Sequence, residues 1–153
     1  MHHSLRIRWL APAVMLAAAP LIAAITPADQ VRTRVANYKQ LGAAYKAVND
    51  GVRAGRPPSA IAPAAAQIAA AARAQYRLFP AGSGPQPGVK TAAKREIWTN
   101  ARGFRAAQDA FARQAATFQR AVAGGNADLT RAESRKLGAT CKGCHDQFRE
   151  QSD

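Results

Sequence analysis

Four alanine-rich stretches with apolar residues at helical spacing constrain the fold of this chain most. Apolar residues three and four positions apart lie on one face of an amphipathic helix. The predicted helices cover residues 29–54, 59–79, 90–123 and 129 onward, the last starting after Asp128. Glycine and proline separate them at residues 55–58, 80, 82–88 and 124–125. Ser59 is the expected N-cap of the second helix. Four helices with short or medium connections predict an all-α, antiparallel four-helix bundle.

The first 24 residues have the pattern of a secretory signal peptide. A basic start at residues 2–8 precedes an apolar run over residues 9–25, and small residues near Ala24 offer a cleavage site. The alternative is a retained membrane anchor, but the run is short for a span and Pro12 and Pro20 interrupt it. We therefore expect cleavage near residue 24 and one domain over residues 25–153.

The fourth predicted helix carries Cys141-Lys142-Gly143-Cys144-His145, and its cysteines are the only two in the chain. Two cysteines three apart, with histidine directly after the second, are the attachment pattern of c-type haem. Each thiol can add to one haem vinyl group, and His145 can then bind the iron through an imidazole nitrogen. The motif therefore predicts one covalent haem c on the C-terminal helix.

Three other interpretations of the motif have less support. A dithiol oxidoreductase normally places its C-x-x-C in a βαβ unit, and no strand pattern surrounds Cys141. A zinc site needs a fourth ligand and usually a second spaced pair. A disulfide between helical residues three apart is strained.

Helical spacing also places the motif on one face of its helix together with apolar cover. The residues on this predicted haem face are Leu137, Cys141, Cys144, His145, Phe148 and Arg149. A cofactor bound along a helix requires both thioether bonds and the iron ligand to point to one side.

Residues 140–149, T-C-K-G-C-H-D-Q-F-R, together with the four predicted helices, resemble the class II cytochromes c, that is, cytochrome c′ and its cytochrome c556 relatives. Residues 34–42 resemble the family's first-helix segment, residues 78–80 the end of its second helix, and residues 97–98 the start of its third. The resemblance covers the whole mature chain. It implies haem attachment on the outer side of a bacterial inner membrane, in the periplasm.

The resemblance also assigns expectations to four residues around the haem. Arg34 is either a partner of a haem propionate or a solvated surface residue. Arg149, four residues after His145, stands where the family often has a basic residue beside the proximal imidazole. Trp98 is expected at the haem edge, with plain core packing as the alternative. Tyr38 stands where the six-coordinate relatives supply a methionine to the iron.

The sixth position of the iron is open to three interpretations, because Met1, Met15, His2 and His3 all fall in the predicted leader. The mature chain therefore offers neither Met nor a second His as a ligand. The position is free of any side chain, or Tyr38 binds as phenolate, or a lysine such as Lys39 or Lys46 binds after deprotonation. Tyr38 can also be an ordinary core tyrosine, which is the expectation for Tyr45.

The sequence thus predicts a carrier of single electrons, with a protein that binds nitric oxide or carbon monoxide as the alternative. It shows no paired carboxylates and no nucleophile with a base, so we do not expect an enzyme. A peroxidase would need a distal histidine or another acid–base group.

The formal net charge is +13, and the predicted leader contains only two of the 22 Lys and Arg residues. On charge alone, membrane headgroups, acidic redox proteins and nucleic acid all qualify as partners, and an acidic redox protein is the expected one. Export, and the lack of an aromatic and basic platform, exclude nucleic acid. The resemblance further implies a homodimer through the first two helices.

Overall fold

The computed structural model describes residues 25–86 and 89–151, so the predicted signal peptide lies outside the described residues. The helices are α1 (Pro27–Arg53), α2 (Pro58–Ala74), α3 (Glu96–Thr99), α4 (Ala101–Ala123) and α5 (Ala127–Phe148). The four long helices, α1, α2, α4 and α5, form the predicted bundle. Among the described residues, no helix is both long and apolar enough to cross a membrane.

Helix α1 begins at a capping box formed by Thr26 and Asp29. The Asp29 amide donates to Thr26 Oγ1 at 3.1 Å, and the Thr26 amide donates to Asp29 Oδ2 at 3.0 Å. Pro27 suits the first turn because it lacks the amide hydrogen that would be left unpaired there. These contacts extend the helix two residues before its predicted start at Asp29.

The predicted start and the predicted end of the second helix are both wrong. Pro57, not Ser59, is the N-cap, and α2 begins at Pro58 because its fixed φ suits the first helical position. The α-helix stops at Ala74 instead of reaching Phe79, and a 3₁₀ turn follows over Gln75–Arg77. Tightening of this kind is common at the C-terminal ends of helices.

The third predicted helix is interrupted, which corrects the expectation of one helix over residues 90–123. Its first residues pair with the end of α5: the Lys94 amide donates to Phe148 O at 3.0 Å and the Glu150 amide to Ala92 O at 2.8 Å. Asn100 then separates α3 from α4, and its side chain accepts from the Gly103 amide at 3.1 Å. Segment 92–94 therefore satisfies its backbone groups outside a helix.

The fourth helix begins at Ala127, two residues before the predicted start after Asp128, because Asn126 caps it. The Asn126 side chain accepts from the Leu129 amide at 2.9 Å. Asp128 lies in the first turn, where its negative charge interacts favourably with the helix dipole.

The core lies between the four long helices and contains fully buried Val48, Ile68, Phe118 and Leu137. Small residues such as Ala65 and Ala115 let the helices approach closely there. Helix α2 packs on α1 and α4, and α4 packs on α5, whereas α1 and α5 contact each other sparsely. Two cavities lie along the seam between α1 and α5.

Candidate functional site

A cavity of about 540 Å³ lies between α1 and α5, with walls from α2, α4 and the segment before α3. Most of its lining is apolar. Its lining includes Arg34, Tyr38, Gln75, Phe79, Phe104, Cys141, Cys144, His145, Phe148 and Arg149. Seven of the eight residues predicted from sequence to bind the cofactor therefore line one cavity.

Helix α5 presents Cys141, Cys144 and His145 to this cavity together. Leu137, one turn earlier on the same helix, is fully buried in the core. The predicted haem face is therefore the face that α5 turns toward the bundle.

Both thiols are free, and burial raises the pKa of Cys141 and of Cys144 above the ordinary value. Dithiol oxidoreductases depend on a thiolate with a lowered pKa, so these cysteines have the opposite character. Among the described residues, no three His, Cys, Asp or Glu side chains are placed to hold a metal ion together. The geometry thus disfavours the oxidoreductase, disulfide and zinc interpretations of the motif.

Desolvation lowers the pKa of His145, and the positive charge of Arg149 lowers it further. A neutral imidazole is the form that binds a metal. Arg149 is the C-cap residue of α5, and its amide donates to His145 O at 3.1 Å. The structure therefore brings Arg149 beside His145 at the cavity.

An aromatic cluster forms one wall of the cavity. Phe104 lies at the centre, with its ring centroid 4.8 Å from that of Phe79 and 5.2 Å from that of Phe148. Phe148 is buried, as expected for apolar cover of a haem. Edge-to-face packing of this kind holds the rings rigidly.

Trp98 lies behind this wall and is not one of the residues lining the cavity. Its ring centroid is 6.2 Å from that of Phe79, and its indole N–H donates to Pro80 O at 3.1 Å. Trp98 also packs against the Ile97–Phe104–Phe148 cluster, and its ring centroid lies 5.8 Å from Arg34 Cζ. These contacts fit the alternative expectation of core packing.

Tyr38 reaches the cavity from α1, across from the motif on α5. Its ring lies 6.1 Å from that of Phe79, measured between centroids. Burial raises the pKa of Tyr38 far above its ordinary value, and the nearby Cys144 adds to the shift. The phenol is therefore fully protonated at neutral pH in the structure described.

The two lysines considered as iron ligands differ in position. Lys39 lines the cavity, whereas Lys46 does not and pairs with Asp50 at 2.6 Å. Of these two lysines, Lys39 is the one that lines the cavity. Tyr45 packs against the core, as predicted, and it also forms part of the cavity wall.

Arg34 is 3% exposed, so the expectation of a solvated surface residue is wrong. Its Nη1 donates to Leu78 O and to Ser83 Oγ, both at 3.2 Å, and its Nη2 donates to Ser83 O and Thr91 Oγ1, both at 3.0 Å. The guanidinium also lies 4.8 Å from the centroid of Phe79. Arg34 therefore fastens the segment around residues 78–91 to α1.

Two groups at this site gave no clear signal in the sequence. Gln75 is buried on the cavity wall, and its Nε2 donates to Ala72 O and Gln108 O, both at 3.0 Å. Residues 91–93 also line the cavity although they lie outside any helix. Only the apolar residues near them, Phe79 and Ile97, were part of a recognisable pattern.

The residues present fit a covalently held haem. Two free thiols and one imidazole line the same mainly apolar cavity, which is the donor set and the surroundings that c-type haem requires.

Comparison with known proteins agrees with this geometry. The family model described as Cytochrome C′ matches residues 29–149. A cytochrome c′ of Rubrivivax gelatinosus is 39% identical over 69 residues, which cover 45% of this chain and 54% of that relative. The chain thus spans about half the length of that relative. A cytochrome c′ of Pararhodospirillum photometricum is 37% identical over 128 residues, covering 82% of this chain and 99% of the relative.

A solved structure of a cytochrome c′, described as having an unusual ligand-controlled dimer dissociation, superposes with a TM-score of 0.78. It is 27% identical and covers 84% of this chain and 100% of the other.

Proposed function

Because this chain belongs to the cytochrome c′ family, which binds one covalent haem c, we propose that it carries single electrons, with the haem held by Cys141, Cys144 and His145. The observation that supports this most is the placement of both thiols and His145 on one cavity wall. Haem bound there supplies a one-electron iron couple. The protein's part is to hold the group rigidly and to exclude water with the Phe79–Phe104–Phe148 wall.

The test is a spectroelectrochemical titration of the purified holoprotein. We expect one haem per chain and one reversible one-electron wave. The variant His145→Ala should lose the normal spectrum, since no other histidine lies in residues 4–153. An unchanged spectrum in this variant, or the absence of a reversible wave, would contradict the proposal.

We propose further that no side chain occupies the sixth position of the iron. Tyr38 lines the cavity from α1, and burial there favours the neutral phenol over the phenolate that would bind the iron. Lys39 lines the cavity but is exposed to solvent. High-spin ferric iron by electron paramagnetic resonance is the expected result. A low-spin spectrum that Tyr38→Phe or Lys39→Ala abolishes would identify the ligand instead.

A second candidate function is binding of nitric oxide or carbon monoxide at that position. Tyr38 supports it, because a protonated phenol on the cavity wall can donate a hydrogen bond to a bound diatomic molecule. If this is correct, Tyr38→Phe should release carbon monoxide faster than the parent protein does, and Tyr38→Met should give a low-spin, six-coordinate iron that binds the gas poorly. Equal gas kinetics in the parent and Tyr38→Phe would count against the role of the hydroxyl.

We propose an acidic redox protein as the partner, docking where Lys39 and Arg149 flank the cavity. The chain's formal charge of +13 supports long-range attraction. The rate of electron transfer to an acidic carrier should fall steeply as ionic strength rises. A rate that is independent of salt would contradict this choice.

We also propose that the chain is exported to the periplasm and that it forms a homodimer. N-terminal sequencing of the mature protein from periplasmic extract should find the start near residue 25. The structural relative described by its ligand-controlled dimer dissociation supports a homodimer, and sedimentation with and without carbon monoxide tests it here.

A further inference from the structure

A second cavity, of about 520 Å³, lies farther along the seam between α1 and α5. Tyr45 lines both cavities, so its ring stands between the second cavity and the one assigned to haem. Val52 contributes an apolar patch to the second cavity. The volume is in the range of small-molecule sites.

Three arginines line this second cavity: Arg53 and Arg131 from opposite helices, and Arg135 one turn after Arg131. Arg53 pairs with Asp50 at 2.7 Å and Arg131 with Asp128 at 3.1 Å, and neither carboxylate lines the cavity. Arg135 forms no ion pair with any residue that the structure describes. Positive charge therefore exceeds negative charge at the cavity surface.

The other polar residues that line this cavity also suit a negatively charged ligand. Asn49 of α1 and Ser134 of α5 add an amide and a hydroxyl beside the guanidinium groups. Guanidinium groups form paired hydrogen bonds with the oxygens of phosphate and carboxylate groups. Like charges gathered in one cleft repel each other, and a bound anion relieves that repulsion.

We propose that this Arg53–Arg131–Arg135 cleft binds a small multivalent oxyanion bearing phosphate or carboxylate groups. The site goes beyond the proposed electron-carrier function and does not depend on it. Because Tyr45 lies between the two cavities, the anion binds without reaching the haem iron.

Calorimetric titration of the holoprotein at fixed ionic strength tests the site, with pyrophosphate as one probe and citrate as the other. We expect one anion per chain for at least one probe, and the tighter probe identifies phosphate or carboxylate as the preferred group. The double variant Arg131→Ala, Arg135→Ala should weaken binding at least about tenfold. Arg131→Gln with Arg135→Gln serves the same purpose if the alanine pair folds poorly.

The matched control is Arg73→Ala with Arg102→Ala, which removes the same charge from exposed positions outside the cleft. This pair should change the affinity by less than about twofold, since distant surface charges are screened. Equal weakening by both pairs would mean a general charge effect and would overturn the proposal. Failure of both probes to bind would also overturn the proposal. The same holds if an anion still binds after the Arg131 and Arg135 changes and alters the ferric haem spectrum.

Discussion

The Tyr45 side chain crosses α5 at Gly138 so closely that a Cβ atom at position 138 would overlap the tyrosine hydroxyl. The hydroxyl also lies 3.5 Å from Ser134 O, one turn earlier. Glycine at this position therefore allows an α1 tyrosine to rest directly on the α5 backbone. The contact fixes the ring that lies between the two cavities.

Gly138→Ala should lower the free energy of unfolding by about 1 kcal/mol. Displacing the Tyr45 ring costs about 1–3 kcal/mol, which exceeds the gain of up to about 1 kcal/mol from alanine in a helix. Urea unfolding of the holoprotein measures the difference. Gly143→Ala is the control, because no atom lies within 4 Å of its added Cβ, and it should be neutral or stabilising. Equal stability of the two variants would show that the ring moves aside freely.

Arg34→Lys should destabilise the protein by about 2–4 kcal/mol, because one ammonium cannot replace the four hydrogen bonds of a buried guanidinium. Hydrogen exchange at Ser83 should also become faster, since Arg34 binds that residue twice. Arg32→Lys is the control, as the Arg32 side chain is 72% exposed. Unchanged exchange at Ser83 in Arg34→Lys would contradict a fastening role.

Glu133→Gln should make stability less sensitive to acid. The Glu133 side chain is 7% exposed, and hydrogen bonds from Lys136 and Gln114 lower the pKa of its carboxyl group. A carboxyl group with a lowered folded-state pKa adds stability above its unfolded pKa, near 4.5, and loses it as pH falls through the folded pKa. Melting temperatures at pH 7 and pH 3 should therefore differ less in Glu133→Gln than in the parent. Glu150→Gln changes an exposed carboxylate and should leave the difference as it was.

Cys141→Ser with Cys144→Ser should remove covalent haem, seen as loss of haem staining on a denaturing gel and as the mass of the apoprotein. The melting temperature should fall as well, because a ligand that binds only the folded state stabilises it. Each single variant keeps one thiol and should retain haem on the gel. Haem staining in the double variant would show that another residue is attached.

The helical periodicity and the haem motif were enough to predict the bundle and one wall of the site. Cys141, Cys144 and His145 follow from fixed local spacing, and the core stripe through Phe111, Ala115 and Phe118 follows from helical spacing. Such features depend on residues close together in the sequence.

The break at Asn100 escaped prediction because Ile97, Ala101 and Phe104 keep helical spacing straight through it. Asn100 leaves the helical conformation, ends α3 and caps α4. Before α3 begins, the segment around Lys94 pairs with the distant end of α5, and local spacing does not reveal that pairing.

The environment of Arg34 could not be predicted from the sequence either. Its partners Ser83 and Thr91 are 49 and 57 residues away. An arginine on an exposed helix stripe and one that fastens a distant loop look the same in sequence.

The sparse contact between α1 and α5 has a consequence for the order in which this protein is assembled. Helix α1 rests mainly on α2, while α2, α4 and α5 pack on one another through α4. These three helices can therefore form a nucleus that leaves Cys141 and Cys144 accessible from the side that α1 later covers. The prosthetic group can reach both thiols at that stage, before docking of α1 encloses it.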